Sequence, residues 1–112
     1  MNYISFFTAT ILEWKHLLLN DAYKDIIISS MKYLVNDGRV NIFAFVIMPN
    51  HIHLVWKVAD DKKPEDVQRD FLKYTAQKIK RMLNADKPEE LKPFYVGAKD
   101  RKYQFWERNP LT

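Results

Sequence analysis

Residues 40–58, VNIFAFVIMPNHIHLVWKV, constrain the fold of this chain more than any other stretch. Two runs of β-branched, aromatic and aliphatic residues meet at Pro49-Asn50. Proline donates no ladder hydrogen bond and asparagine favours turns, so the runs cannot form one strand. They read as an antiparallel hairpin of strands 40–48 and 51–58. Side chains on a strand alternate between faces. Ile52, Leu54 and Trp56 therefore share a face suited to a core, and His51 and His53 share the other, about 6–7 Å apart along the backbone.

The segments around this hairpin complete an α+β pattern. YISFFTATILEW, residues 3–14, carries apolar or small residues on both alternating sets and reads as an inner strand covered on both sides. Asn20 or Asp21 can cap a helix over about 21–36, with Tyr23, Ile27, Met31 and Leu34 as its apolar stripe and Gly38 as its left-handed stop. Pro64 opens a second helix, followed by Glu65 and Asp66. Val67, Phe71, Thr75, Ile79 and Met82 carry its stripe to about Asn84. Residues 89–104 read as a short helix and then an irregular basic stretch, with Phe105-Trp106 as an apolar anchor. The order strand, helix, strand, strand, helix predicts an antiparallel sheet with helices packed on it, a ferredoxin-like α+β sandwich in one domain over 1–112.

Composition narrows the chemistry. The 112 residues include no cysteine, which removes disulfides, thiolate zinc sites and a cysteine nucleophile. No apolar run approaches the roughly 20 residues of a membrane span, and the N-terminus lacks the pattern of a signal peptide. A cytoplasmic chain with no membrane partner is expected. Residues 1–56 hold four basic and four acidic side chains, so the net charge of +4 lies wholly in residues 57–112. That asymmetry suggests a polyanionic partner, nucleic acid first. Arg69, Lys73 and Lys80 fall on one side of the second helix with Gln77 between them, where they suit either phosphate contacts or a solvated face of ion pairs. Lys99, Arg101, Lys102 and Arg108 alternate with Tyr103, Phe105 and Trp106, as single-strand binding surfaces do.

The His-x-His pair is the one cluster with evident chemistry. Neutral imidazoles ligate first-row divalent ions, and an open strand face leaves coordination positions for a phosphate. A solvated or merely hydrogen-bonded pair is the structural alternative.

The stretch FAFVIMPNHIHLVW resembles the signature of the HUH single-tyrosine transposases, small insertion-sequence enzymes related to the REP-associated tyrosine transposases. The His51-Ile52-His53 triplet, the preceding Met48-Pro49-Asn50, the helix RDFLKYTAQKIK and the segment Phe105-Trp106-Glu107-Arg108-Asn109-Pro110 carry the likeness. The resemblance implies an HUH-type sandwich with the histidines on a central strand. It implies a strand transferase in which His51 and His53 hold Mg²⁺ or Mn²⁺ against the scissile phosphate of single-stranded DNA. A tyrosine hydroxyl then forms a 5′-phosphotyrosine link, and the enzyme works as a homodimer on DNA hairpins.

In the resembling subgroup the tyrosine helix follows the Phe-Trp-x-Arg-Asn-Pro segment, and this sequence stops two residues beyond Pro110. The expectation is a domain incomplete at its C-terminus, lacking the nucleophile and third metal ligand. Tyr74, one helical turn before Gln77, and Tyr103 are the substitutes within the chain, although Tyr74 also suits packing. Tyr3, Tyr23 and Tyr33 read as core or helix-face residues. A nucleic-acid-binding α+β module without chemistry, and a domain whose sheet serves dimerisation, are the competing readings.

Overall fold

The computed structural model describes residues 1–108. It has the predicted α+β architecture, with five strands: β1 (Ile4–Thr10), β2 (Val40–Ile47), β3 (His51–Val58), β4 (Tyr95–Ala98) and β5 (Arg101–Tyr103). Three helices accompany them: α1 (Asp21–Asn36), α2 (Pro64–Asp86) and α3 (Pro88–Leu91). The main sheet runs β1-β3-β2, antiparallel throughout, so the histidine strand is central. Pro49-Asn50 closes the hairpin, with the Met48 N–H donating to the His51 carbonyl at 2.8 Å.

The core lies on one side of the sheet. Phe7 of β1 stacks on Trp56 of β3 at 5.2 Å, and Phe71 of α2 meets both rings edge-on at 6.3 Å. Ile52, Leu54 and Val58 join from β3, and Tyr23, Ile27, Met31 and Leu34 from α1. The Asn20 side chain caps α1 by accepting from the Ala22 N–H, and Gly38 ends it with φ 73°. In α2, Val67, Phe71, Thr75, Ile79 and Leu83 are buried, and the helix starts at Pro64 as its proline requires.

Three expectations need correction. β1 is not an inner strand covered on both faces. It pairs with β3 alone among the named strands, and Phe6, on the face away from the helices, is 78% exposed. Both its faces are apolar because the outer face is open, not because a second layer covers it. The segment after Ile11 leaves the strand in a 3-10 turn over Leu12–Trp14. The stretch read as irregular forms the β4–β5 hairpin, turned at Lys99-Asp100, with Gly97 at φ 61° inside β4 where the register shifts. Tyr3, read as a core or helix-face residue, lies just before β1 and is 75% exposed.

Beyond β5 the anchor is real. Phe105 and Trp106 are buried, and Trp106 bridges antiparallel to Ile11 on the side of β1 away from β3. The Trp106 indole N–H donates to Thr75 Oγ1 of α2 at 3.0 Å. Asn109 and Pro110 of the resembling segment lie outside the described residues. Among the described residues, no helix is long and apolar enough to cross a membrane.

Candidate metal and nucleic-acid site

Parity on β3 settles where the histidines point. Ile52, Leu54 and Trp56 are buried under the helices, so His51 and His53 stand on the open face. Their rings meet edge-to-face with centroids 4.7 Å apart. Each ring is oriented by a polar neighbour. His51 Nδ1 lies 2.7 Å from Asn50 Oδ1. An amide oxygen can only accept, so this Nδ1 is the donor of the bond. His53 Nδ1 shares a hydrogen bond with the Thr8 hydroxyl at 2.9 Å. Thr8 is there because β1 pairs Thr8 with His53 and Thr10 with His51.

A third aromatic ring completes this surface. Trp14 meets His51 edge-on at 6.0 Å. It arrives through an irregular backbone, with Glu13 at φ 55° and Trp14 at φ 58°. The Glu107 carboxylate accepts from the Glu13 N–H at 2.6 Å, and the Glu107 N–H donates to the Thr10 carbonyl at 2.8 Å.

Paired imidazoles are suited to a first-row divalent ion, and a polar partner orienting one ring nitrogen is the usual arrangement for ligating histidines. Among the described residues, no third His, Cys, Asp or Glu gathers with them. Among the described residues, the pair would offer two nitrogen donors to such an ion. Mn²⁺ accepts a mixed nitrogen and oxygen set more readily than Mg²⁺, which keeps to oxygen.

The remaining candidates lie elsewhere. Phe71 packs α2 against the core face, so the sheet separates Arg69, Lys73, Lys80 and Tyr74 from the histidines. The basic stripe of α2 therefore lies across the sheet from the histidine pair. Arg69 is held by Asp66 and Asp70. Lys73 and Gln77 line a groove between α1 and α2 of about 220 Å³, shared with Tyr33 and Arg39. Tyr74 stacks on Tyr33 at 5.8 Å, which makes it a packing residue. Tyr103 lies under Lys80 and against Tyr95, on the hairpin. Tyr23 is buried, and burial, then the carboxylates of Glu90 and Asp86, push its phenol up, away from an ionised nucleophile. Lys99 and Lys102 are exposed on the β4–β5 hairpin, while Arg101 is tied to Asp100 and Gln104.

Thr8, Trp14 and Glu107 were not singled out as site residues from the sequence. Only the β1–β3 register reveals Thr8, and only the bridge at Trp106 brings Glu107 to the turn. Asn50, read as a turn residue, had a usable signal in its adjacency to His51.

An antiparallel sheet layered on one face by two long helices, with a histidine pair on the open face of its central strand, defines the class. The family of IS200-like transposases matches residues 8–97, and the chain belongs to that family. Solved structures agree on the fold. A Deinococcus radiodurans R1 protein assigned as a transposase superposes with a TM-score of 0.59 at 18% identity, covering 82% of this chain and 66% of its own. A REP-associated tyrosine transposase bound to a REP hairpin superposes with a TM-score of 0.57 at 19% identity, covering 97% of this chain and 56% of its own. The chain thus spans just under two thirds of the first relative and little over half of the second. No curated protein sequence matches it.

Proposed function

We propose that this chain is a DNA-handling domain of transposition, which binds single-stranded DNA at hairpin ends through the open face of its sheet. One observation carries the reading: the paired imidazoles of His51 and His53, 4.7 Å apart, with Nδ1 atoms engaged by Asn50 and Thr8. The two Nε2 atoms would hold Mn²⁺ or Mg²⁺, and that ion supplies polarisation of a phosphodiester for in-line attack. Asn50 and Thr8 fix the ring planes, and the flat surface around them admits a strand. Lys99 and Lys102 are proposed to track phosphates nearer the hairpin.

The attacking group of this chemistry is a tyrosine hydroxyl. The tyrosines of this chain occupy other places: Tyr33 and Tyr74 in the helix layer, Tyr23 in the core, Tyr95 and Tyr103 on the hairpin, and Tyr3 just before β1, far from the Thr10 end beside His51. Binding of metal and DNA without strand cleavage is therefore the activity proposed for this chain. A homodimer is proposed through β2, a free edge whose Phe43, Phe45 and Val46 are exposed. A cytoplasmic place near the nucleoid follows from a DNA substrate.

Calorimetry with Mn²⁺ on the wild type and His53→Ala tests the metal site. Measurable heat that disappears in the variant is expected, and equal, negligible heats would overturn the reading. Incubation with a single-stranded hairpin and Mn²⁺ tests the chemistry. A covalent protein–DNA band would show that a tyrosine of this chain does attack.

A further inference from the structure

Among the described residues, the non-glycine positions with positive φ lie beside the histidines. Glu13 and Trp14 are consecutive residues with positive φ, 55° and 58°. For side chains of this size the left-handed region is crowded by the Cβ, and it persists only where neighbours over-determine it. Here they do. The Glu107 carboxylate takes the Glu13 N–H, and the Trp14 N–H turns back to the Ile11 carbonyl at 2.9 Å. The outcome is an indole turned outward. Trp14 is 61% exposed, whereas Trp56 is 0% and Trp106 5% exposed. Its edge contact with His51 leaves much of its π surface open to solvent.

We propose that Trp14 is a stacking platform for an unpaired nucleobase, the base adjoining the phosphate held at His51 and His53. This rests on the phosphate-binding reading of that pair. The occupant follows from the chemistry. The ring adjoins the place where a phosphate would sit, so the group that reaches it is one joined to that phosphate by a sugar. A flat indole face accepts any base by stacking, and only a single strand has bases free to do so. Trp14 would be a positioning residue, setting the register of the strand against the histidines without touching the reacting atoms.

The three tryptophans make the test direct, because only Trp14 is exposed. The full chain is titrated in Mn²⁺ with a short single-stranded oligodeoxythymidylate and, separately, with an abasic strand of the same length. Tryptophan emission and its quenching by iodide are recorded, and a dye on the DNA reports binding independently. Expected are quenched emission and protection from iodide on binding the thymidylate. Trp14→Ala should weaken that strand roughly 5- to 150-fold. Trp14→Phe should retain most of the affinity, and the abasic strand should bind wild type and Trp14→Ala alike. Binding that leaves emission and iodide access unchanged would overturn the platform while sparing the phosphate site. Equal losses for both strands in Trp14→Ala would do the same. Absence of binding by either strand would overturn both.

Discussion

Thr75 sits in the middle of α2 with no exposed surface, and its hydroxyl has two tasks. It donates back to the Phe71 carbonyl at 2.9 Å, and it accepts from the Trp106 indole N–H at 3.0 Å. Valine keeps the shape and removes the acceptor. The Phe71 carbonyl loses little, because the helix already satisfies it. The indole N–H is left buried without a partner, a cost of about 1–3 kcal/mol. The added methyl offsets a fraction of this, so Thr75→Val should lose about 1–2 kcal/mol. At about 4–8 °C per kcal/mol for a domain near this size, the melting temperature should fall by about 5–15 °C. Thr75→Ser keeps the acceptor and loses one buried methyl, about 1 kcal/mol. Urea melts of wild type, Thr75→Val, Trp106→Phe and the double variant isolate the bond as a coupling of about 1 kcal/mol or more. The reasoning fails if Thr75→Val melts within 0.5 kcal/mol of the wild type, or if the two single losses simply add.

Asn50→Ala should weaken Mn²⁺ binding by about 10–100-fold while leaving the melting curve nearly unchanged, because it frees the His51 ring to turn; calorimetry and a thermal melt check the two halves. Asp60 accepts from the Asn2 N–H and from Lys57, and these contacts hold its carboxyl below its ordinary value of 3.8. Because the folded value is lowered, the contribution is fully present above the ordinary value of 3.8 and is lost as pH falls through the folded value. The melting-temperature gap between wild type and Asp60→Asn should therefore be open at pH 6 and narrow as the pH falls below the ordinary carboxylate range. Phe43→Lys places a charge on the bulged free edge of β2 and should convert a dimer to a monomer by light scattering, with unchanged circular dichroism.

How much of this was legible depends on whether an element's signal was local. The hairpin was legible because Pro49-Asn50 breaks an apolar run and the alternation Ile52, Leu54, Trp56 admits one buried face. α1 was legible because Asn20, the apolar stripe and Gly38 mark start, face and end in agreement. β1 misled because Ile4 and Phe6 are as apolar as Phe7 and Ala9, and periodicity cannot distinguish a second covering layer from an exposed apolar face. The β4–β5 hairpin was missed because strands of four and three residues give no period to read. The side of the sheet occupied by α2 could be read from the sequence. Once Trp56 is assigned to the core face, a helix whose apolar stripe must bury itself can pack only there, across the sheet from His51 and His53.

That separation shows how the helix layer can govern a site it never touches. Trp106 is pinned to α2 through Thr75, and its bridge to Ile11 lays the next residue, Glu107, along the end of β1. Glu107 holds Glu13, which fixes the turn that presents Trp14 to His51. Thr8 reaches His53 only because β1 keeps its register on β3, and that register is locked from the core side by Phe7 stacked on Trp56. A shift of β1 by one residue would bury Phe6 and remove Thr8 from His53 together, so core packing and imidazole orientation are specified by the same pairing. The open face needs few cations of its own for this geometry to hold. Most of the basic helix residues can therefore lie across the sheet, in ion pairs and over aromatic rings, without weakening the case for the histidine pair.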